Sequence, residues 1–394
     1  MPLWPLALIT LSGTSAMHMF VPALPVAAED LATSPALVQL TISVYILALG
    51  LGQLAFGPLS DSFGRRPLLL AGLVLFTLGG LAAALAPNVH VLLVARFAQA
   101  LGGCVGMLLP RAIVRDTSGV DEAVRRLSLM GLMTLVGPGL SPLIGGTVAH
   151  AWGWRAVFGV LTCLGVFNLL LAWRLLPETG SPTGRISVAS VLDDYRLLLG
   201  TRRFVGLALG GACSTTSTFA FITAAPFIFV QQLNRPVPEV GLYLALMIIG
   251  AFFGNALASQ LAGRLDKDRL MVGAHLICLG SALAFVVSLM VWGPQLGVIL
   301  VLVFLHALGA GLCSPVASVQ AVSVVPRLIG SASGLYGCMQ MLVGASCAAL
   351  VTLHPDAALA AACVMLVFSL LGQAGFWLAR QSGPRDGAGA PHQR

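Results

Sequence analysis

Among the side chains able to carry a charge, His18, Arg96 and His306 lie within long apolar stretches rather than in the loops between them. An arginine at membrane depth costs at least about 2.5–3.5 kcal/mol on insertion scales, which makes it a functional residue by default. Arg96 lies about two turns into its stretch, so a snorkelling side chain aimed at the surface is the plain alternative. Histidine titrates near neutrality, with an ordinary pKa of about 6.5, so the chemistry open to His18 and His306 is the carriage of a proton. No carboxylate accompanies them, because all 14 acidic residues fall in loops or at helix ends. The apolar stretches contain no paired carboxylates, no His/Glu metal-ligand helix and no Ser/His/Asp-like set, and no phosphate-cradling loop appears. That pattern argues against an intramembrane enzyme and offers no site for a cofactor or metal. Tyr45, Gln53, Phe219, Phe221, Tyr243, Asn255 and Gln340 are amphipathic or polar residues within the stretches. They suit the wall of a mostly apolar pocket, and equally suit packing or contact with lipid.

Two further groups of residues are conformational rather than titratable. Gly57-Pro58-Leu59-Ser60-Asp61-Ser62-Phe63-Gly64-Arg65-Arg66-Pro67 is a charged turn, echoed in weaker form by Gly263-Arg264-Leu265-Asp266-Lys267-Asp268-Arg269. Glycines allow a tight turn at the membrane edge, and the arginines prefer an anionic cytoplasmic surface. Arg65 is expected to meet Asp116, which ends the fourth apolar stretch. In the fifth, Gly137-Pro138-Gly139-Leu140-Ser141-Pro142-Leu143-Ile144-Gly145-Gly146 removes backbone donors and side-chain bulk. A kinked, closely packed helix is expected there.

The elements that position these residues are twelve apolar stretches. Hydrophobic residues make up 58% and charged ones 9% of the 394 residues, against about 45–50% and 25% in soluble domains. A helix needs roughly 20 apolar residues to cross a bilayer core. The predicted spans are 3–25, 38–58, 67–86, 90–111, 126–149, 155–176, 204–231, 239–262, 270–292, 295–318, 327–351 and 356–379. The fold class is therefore an all-α membrane protein of twelve transmembrane helices. The first stretch lacks the basic lead-in and cleavage site of a signal peptide and reads as helix 1. The eight cysteines lie inside spans, lack metal-ligand spacing and read as small packing residues. Gly102/Gly106, Gly250/Gly254 and Gly330/Gly334 have the spacing of close helix contacts. His275 reads as interfacial.

Basic loops are retained on the cytoplasmic side. With a cytoplasmic N-terminus, that side receives 18 of the 21 basic residues, leaving Arg155 and Arg235 outside and Arg96 within a span. The net charge of +7 is thus a topological signal, and scattered basic loops without interleaved aromatics do not suit nucleic acid. A Gly/Pro-rich break at 177–185 divides the chain into a six-helix half over 1–176, a cytoplasmic linker over 177–203 and a second half over 204–379. A polar tail over 380–394 is expected to be disordered and cytoplasmic. Within the linker, 188–199 reads as a short amphipathic helix.

Over nearly the whole chain these motifs resemble the major facilitator superfamily, and within it the bicyclomycin-resistance (Bcr/CflA) branch of drug/proton antiporters. The 57–67 loop is similar to the superfamily's motif between helices 2 and 3. Arg96-Phe97-Ala98-Gln99-Ala100 is similar to its Arg-x-x-Gln-Gly motif, with Ala100 in place of glycine. The 137–146 segment looks like the antiporter motif of the exporting branches. Met17-His18-Met19-Phe20-Val21-Pro22-Ala23-Leu24-Pro25 is similar to a branch signature that carries aspartate where this chain has His18.

The resemblance implies two pseudo-symmetric halves that rock about a midplane site. Helices 1, 4, 7 and 10 would line the central cavity, bringing His18, Arg96, Gln99 and His306 within reach of it. Asp61 would latch against the N-terminus of helix 11, where the helix dipole favours negative charge, and Gly57, Gly64, Arg65 and Asp116 would share that cytoplasmic gate. The implied activity is multidrug efflux of small amphipathic compounds by proton antiport, by a monomer in the inner membrane. His18 would replace the expected carboxylate as proton carrier, with His306 second; each histidine equally suits a hydrogen bond to a neighbouring helix. A cavity with Arg96 and histidines but no carboxylate favours neutral, zwitterionic or weakly anionic substrates over permanent cations. The alternatives are export of an endogenous amino acid or sugar, and a sensor that binds without transporting.

Overall fold

The computed structural model describes residues 3–118, 120–180, 188–261, 266–325 and 328–381, with the backbone alone at positions 57, 61, 115, 120–125, 127–128, 131–136 and 188–190. The expected tail beyond 381, residues 263–265 of the weaker repeat, and the side chain of Asp61 lie outside the described residues.

The first half comprises α1 (Trp4–Asp30), α2 (Pro35–Phe63), α3 (Arg65–Ala84), α4 (Val89–Asp116), α5 (Val120–Trp152) and α6 (Trp154–Leu175). A linker helix (Val188–Gly200) leads to α7 (Arg202–Gln232), α8 (Val237–Leu261), α9 (Lys267–Trp292), α10 (Leu296–Val322), α11 (Ile329–Leu353) and α12 (Ala357–Gln381). Among the described residues eleven of these are long and apolar enough to cross a bilayer. The twelfth, α5, is 33 residues long. Large apolar side chains such as Leu78, Val94, Phe167, Trp173, Phe253, Met290 and Val301 point outward, as expected of a surface solvated by lipid.

The first helix of each half is broken after a 15-residue piece. In α1 a 15-residue helix ends at His18, a 3-10 turn follows at Val21–Ala23, and helix resumes at Leu24–Asp30. Pro22 and Pro25 lack the N–H groups that would continue the ladder. In α7 a 15-residue helix ends at Thr216, a second runs over Thr218–Pro226, and a π-helical turn at Phe227–Gln232 follows Pro226. Such breaks are tolerated at membrane depth only where the freed backbone groups are buried against protein.

Within each half the helices touch through glycine. A methyl group at Gly102 of α4 would strike the backbone of Gly72 and Phe76 in α3, and one at Gly254 of α8 would strike the carbonyl of Leu308 in α10. A methyl at Gly250 would stand 2.7 Å from the carbonyl of Phe304 and one at Gly106 a looser 3.2 Å from that of Ile9, whereas Gly330 faces open space and Gly334 makes only ordinary contact. The spacing rule therefore holds for two of the three pairs. Of the eight cysteines, Cys163 and Cys363 are exposed on the outer surface and the rest are buried.

The halves meet along two seams. Between α2 and α11, Gly50 would place a methyl 2.9 Å from Cβ of Met341, and Gly337 packs on the amide of Gln53. Between α5 and α8, Gly146 lies beside Val237 and Pro238, and Gly241 against the carbonyl of Pro142. Gln39 of α2 also donates to the carbonyl of Thr223 in α7, at 3.5 Å.

Candidate functional site

Arg96 is fully buried in the first half. One nitrogen, Nη1, donates to the carbonyl of Ala16 at 2.9 Å and to Oε1 of Gln99, one turn along α4, at 2.7 Å. Ala16 lies in the last turn before α1 breaks, where carbonyls lose their intrahelical partners. The guanidinium carbon stands 4.0 Å from the centre of the Tyr45 ring, with Phe20 and Phe158 at 5.8 and 5.6 Å. A desolvated cation over an aromatic face gains about 2 kcal/mol or more. Tyr45 is in turn fixed by its hydroxyl, which donates to the carbonyl of Gly13 at 2.8 Å. Arg96 therefore does not snorkel; it ties α4 to the break in α1 and to α2 and α6.

The histidines differ in what they leave open. His18 is buried at the end of the first helical piece of α1 and donates from Nδ1 to the carbonyl of Thr14 at 2.9 Å. A carbonyl only accepts, so Nδ1 holds the hydrogen and Nε2 has its lone pair free of any partner among the described residues. In His306, Nδ1 donates to the carbonyl of Cys278 at 3.1 Å with the Ser281 hydroxyl at 3.3 Å, and Nε2 faces the Ser217 hydroxyl at 3.0 Å. Both nitrogens are occupied, and the ring pins the break in α7 to α9 and α10.

His275 is not interfacial. It is fully buried, with Nε2 donating to the carbonyl of Ser369 at 2.7 Å and Nδ1 paired with the Ser214 hydroxyl at 2.5 Å. The face of α9 on which it lies, turned toward α7 and α12, decides its burial rather than its nearness to the helix end.

At the turn between α2 and α3, Gly64 adopts φ +94°, a region that favours glycine. Arg65, the first residue of α3, pairs through Nε with Asp116, the last residue of α4, at 3.1 Å, and also contacts Ser60. Arg66 donates to the carbonyl of Trp173 at 2.8 Å. With glycine before it, α3 has no side-chain cap of its own. Glu178, just past α6, supplies one: its carboxylate accepts from the backbone N–H groups of Arg65 (2.9 Å), Arg66 (3.2 Å), Thr179 (3.0 Å) and Gly180 (2.8 Å). Burial alone would raise its pKa, but the N–H groups of Gly180, Arg65, Arg66 and Thr179 together hold the carboxyl below its ordinary value. Glu178 went unread in the sequence, although an acid in Pro177-Glu178-Thr179-Gly180 beside a basic membrane edge was a usable signal. The linker helix reaches the same end of the bundle, where Asp194 accepts from Ser331 in the first turn of α11 at 3.0 Å and the Tyr195 hydroxyl lies 3.5 Å from the carbonyl of Leu54.

The segment 137–146 faces both halves at once. A methyl at Gly137 would stand 2.7 Å from Leu11 and 2.8 Å from Thr14, and one at Gly145 would strike the carbonyl of Met19, next to His18. Gly146 and Pro142 face α8. Despite Pro138 and Pro142, α5 runs as one helix.

The sequence matches the profile of the Major Facilitator Superfamily over residues 6–349. The chain belongs to the major facilitator superfamily. It is 31% identical to multidrug resistance protein D of Escherichia coli over 89% of this chain and 88% of that one. It is 26% identical to a bicyclomycin resistance protein homolog of Haemophilus influenzae over 88% of this chain and 87% of that one, in keeping with the bicyclomycin-resistance branch. Among solved structures, a peptide transporter in complex with sulfate shares the fold at a TM-score of 0.78 and 16% identity, with 97% of this chain and 94% of that one covered. The chain is thus a multi-pass membrane transporter of twelve helices in two six-helix halves.

In this major facilitator, the remaining residues expected at a pocket wall do not gather in one place. Gln53 lies on the α2–α11 seam. Gln340 of α11 donates to the Thr215 hydroxyl at 2.9 Å beside the α7 break, and Phe219 packs against Gly344. Asn255 is turned back on its own helix, donating to Ala251 at 3.0 Å. Tyr243 donates to Glu239 at 2.6 Å and stacks near Phe229, ring centres 4.6 Å apart. Phe221 is buried among Phe229 and Phe285. Tyr45 belongs to the Arg96 box.

Proposed function

We propose that this transporter exports small amphipathic compounds across the inner membrane by alternating access, driven by proton antiport. The observation that carries the reading is the near full-length likeness to proteins named for resistance to multiple drugs and to bicyclomycin. The two glycine-lined seams, α2–α11 and α5–α8, support rocking of the halves, since backbones in close contact slide without side-chain interlock. His18, with one open nitrogen beside the α5 motif, is the proton carrier in this reading, and His306 is a structural pin. The end of the bundle bearing Arg65, Glu178 and the linker helix is cytoplasmic, both termini lie on that side, and the chain acts as a monomer. Asp61 serves there as the latch toward α11.

The experiment is a susceptibility panel with and without expression, paired with proton flux in everted vesicles. Protection against neutral amphenicols or bicyclomycin-like compounds, with drug-induced proton release, is expected. Ligand binding without counterflow in proteoliposomes identifies a sensor instead, and protection absent alongside amino-acid or sugar efflux identifies a metabolite exporter.

A further inference from the structure

A guanidinium presents five N–H groups in one plane. Those of Nη1 reach Ala16 and Gln99. Nε and Nη2, which share one edge of the plane, are shut off from solvent and have no acceptor among the described residues, and Nε2 of Gln99 is in the same condition. Tyr45 covers a face of the group at 4.0 Å and leaves the in-plane N–H groups unanswered. All three unpaired nitrogens are donors, two of them on the buried positive charge itself, and position 18 supplies a histidine in place of an acid. A buried charged group without its partner costs several kcal/mol. The group that best answers a planar N–H fork is a planar oxyanion held by two parallel hydrogen bonds. Phe20 and Phe158, at 5.8 and 5.6 Å, add apolar walls beside the fork.

We infer that the Nε/Nη2 edge of Arg96 binds the carboxylate of a small amphipathic monoanion, so that aromatic monocarboxylates are among the compounds this transporter moves. The inference deepens the export function proposed above and rests on it for the transport step. Phe20, Phe158 and Tyr45 seal the fork here, so a carboxylate reaches it only in a state where the broken part of α1 has moved away. Binding then favours that state by the difference in affinity between the two. A free small anion presents the same chemistry, and the size of the probe separates the two sources.

The test titrates the purified full-length protein in detergent with benzoate and with benzamide, the same ring without the charge, following the midpoint of thermal unfolding. Acetate and chloride at matched ionic strength are the small-anion controls. Benzoate should bind about tenfold or more tightly than benzamide, the equivalent of one charge-assisted hydrogen bond, and more tightly than acetate. Gln99→Glu sets a carboxylate against Arg96 from within the chain and should abolish the preference. Arg96→Lys keeps the charge without the planar fork and should weaken it; if that variant does not fold, Gln99→Glu carries the comparison. Equal binding of benzoate and benzamide, or an undiminished preference in Gln99→Glu, overturns the site. Equal stabilisation by acetate or chloride overturns the substrate class and assigns the fork to a free anion. Efflux of radiolabelled benzoate and of a neutral amphenicol from loaded proteoliposomes is read separately. Selective benzoate binding with efflux of neither supports the site and sinks the export reading. Amphenicol efflux with no benzoate preference supports export and sinks the site.

Discussion

Arg65 and Asp116 join the first residue of α3 to the last residue of α4 through a 3.1 Å ion pair. Each charge stands at the unfavourable end of its own helix, a cation at an N-terminus and an anion at a C-terminus. The pair therefore serves to clamp two helices together rather than to stabilise either one. Asp116→Asn should insert normally and lower efflux about fivefold, the effect of roughly 1 kcal/mol. The swap of Arg65→Asp with Asp116→Arg restores the clamp with favourable dipoles and should recover much of the loss. Unchanged efflux from Asp116→Asn protein at equal expression refutes the clamp.

Glu178 makes the α3 cap dependent on pH. Its folded-state pKa lies below the ordinary 4.5, so its contribution is fully present above about pH 4.5 and is lost as pH falls through the folded-state value. In detergent, wild type should unfold at a higher temperature than Glu178→Gln at pH 7, and the gap should narrow as the pH falls below about 4.5. A gap that stays constant down to pH 3 contradicts the cap.

The twelve helices were legible because a bilayer demands that every backbone polar group be satisfied within the helix, which writes span length directly into the sequence. Arg96 was legible for the related reason that a charge in an apolar run stands out. Its stacking on Tyr45 was not, since a partner on another helix leaves no periodic mark. Glu178 was hidden in the same way: the N–H groups it caps belong to residues 113 positions away in Arg65 and 112 in Arg66. His275 was misread because depth along a helix says nothing of which face a residue occupies. Tyr45 and Phe221, candidates for a pocket wall, are buried, and their amphipathic side chains alone do not say whether they pack or face a cavity.

The two sequence-nominated histidines should separate by experiment. His18→Gln is expected to uncouple substrate movement from the pH gradient, and His18→Asp to retain coupling. His306→Gln should instead lower stability by about 1–3 kcal/mol, because Ser217 and the Cys278 carbonyl lose their partner, with the pH dependence of transport unchanged. Thermal unfolding and transport at several pH values on the same preparations distinguish these outcomes. Loss of coupling in His306→Gln with none in His18→Gln would reverse the assignment.

Glycines of the α5 segment should differ sharply in tolerance. A methyl at Gly145 meets the carbonyl of Met19, whereas at Gly139 the nearest atom lies 3.9 Å away on Ile248. Gly145→Ala is expected to cost about 1–3 kcal/mol through forced backbone shifts and Gly139→Ala little. Yields of monodisperse protein on size exclusion report the contrast, and equal yields from both variants contradict the packing described for α1 and α5.

Uptake of a radiolabelled neutral amphenicol into everted membrane vesicles with an acid interior tests proton-driven export most directly. Accumulation above the level of vesicles lacking the protein is expected, collapsed by a protonophore and absent in His18→Gln, with ethidium-type cations competing weakly. Accumulation that ignores the pH gradient, or cations moved as readily as the neutral drug, contradicts it.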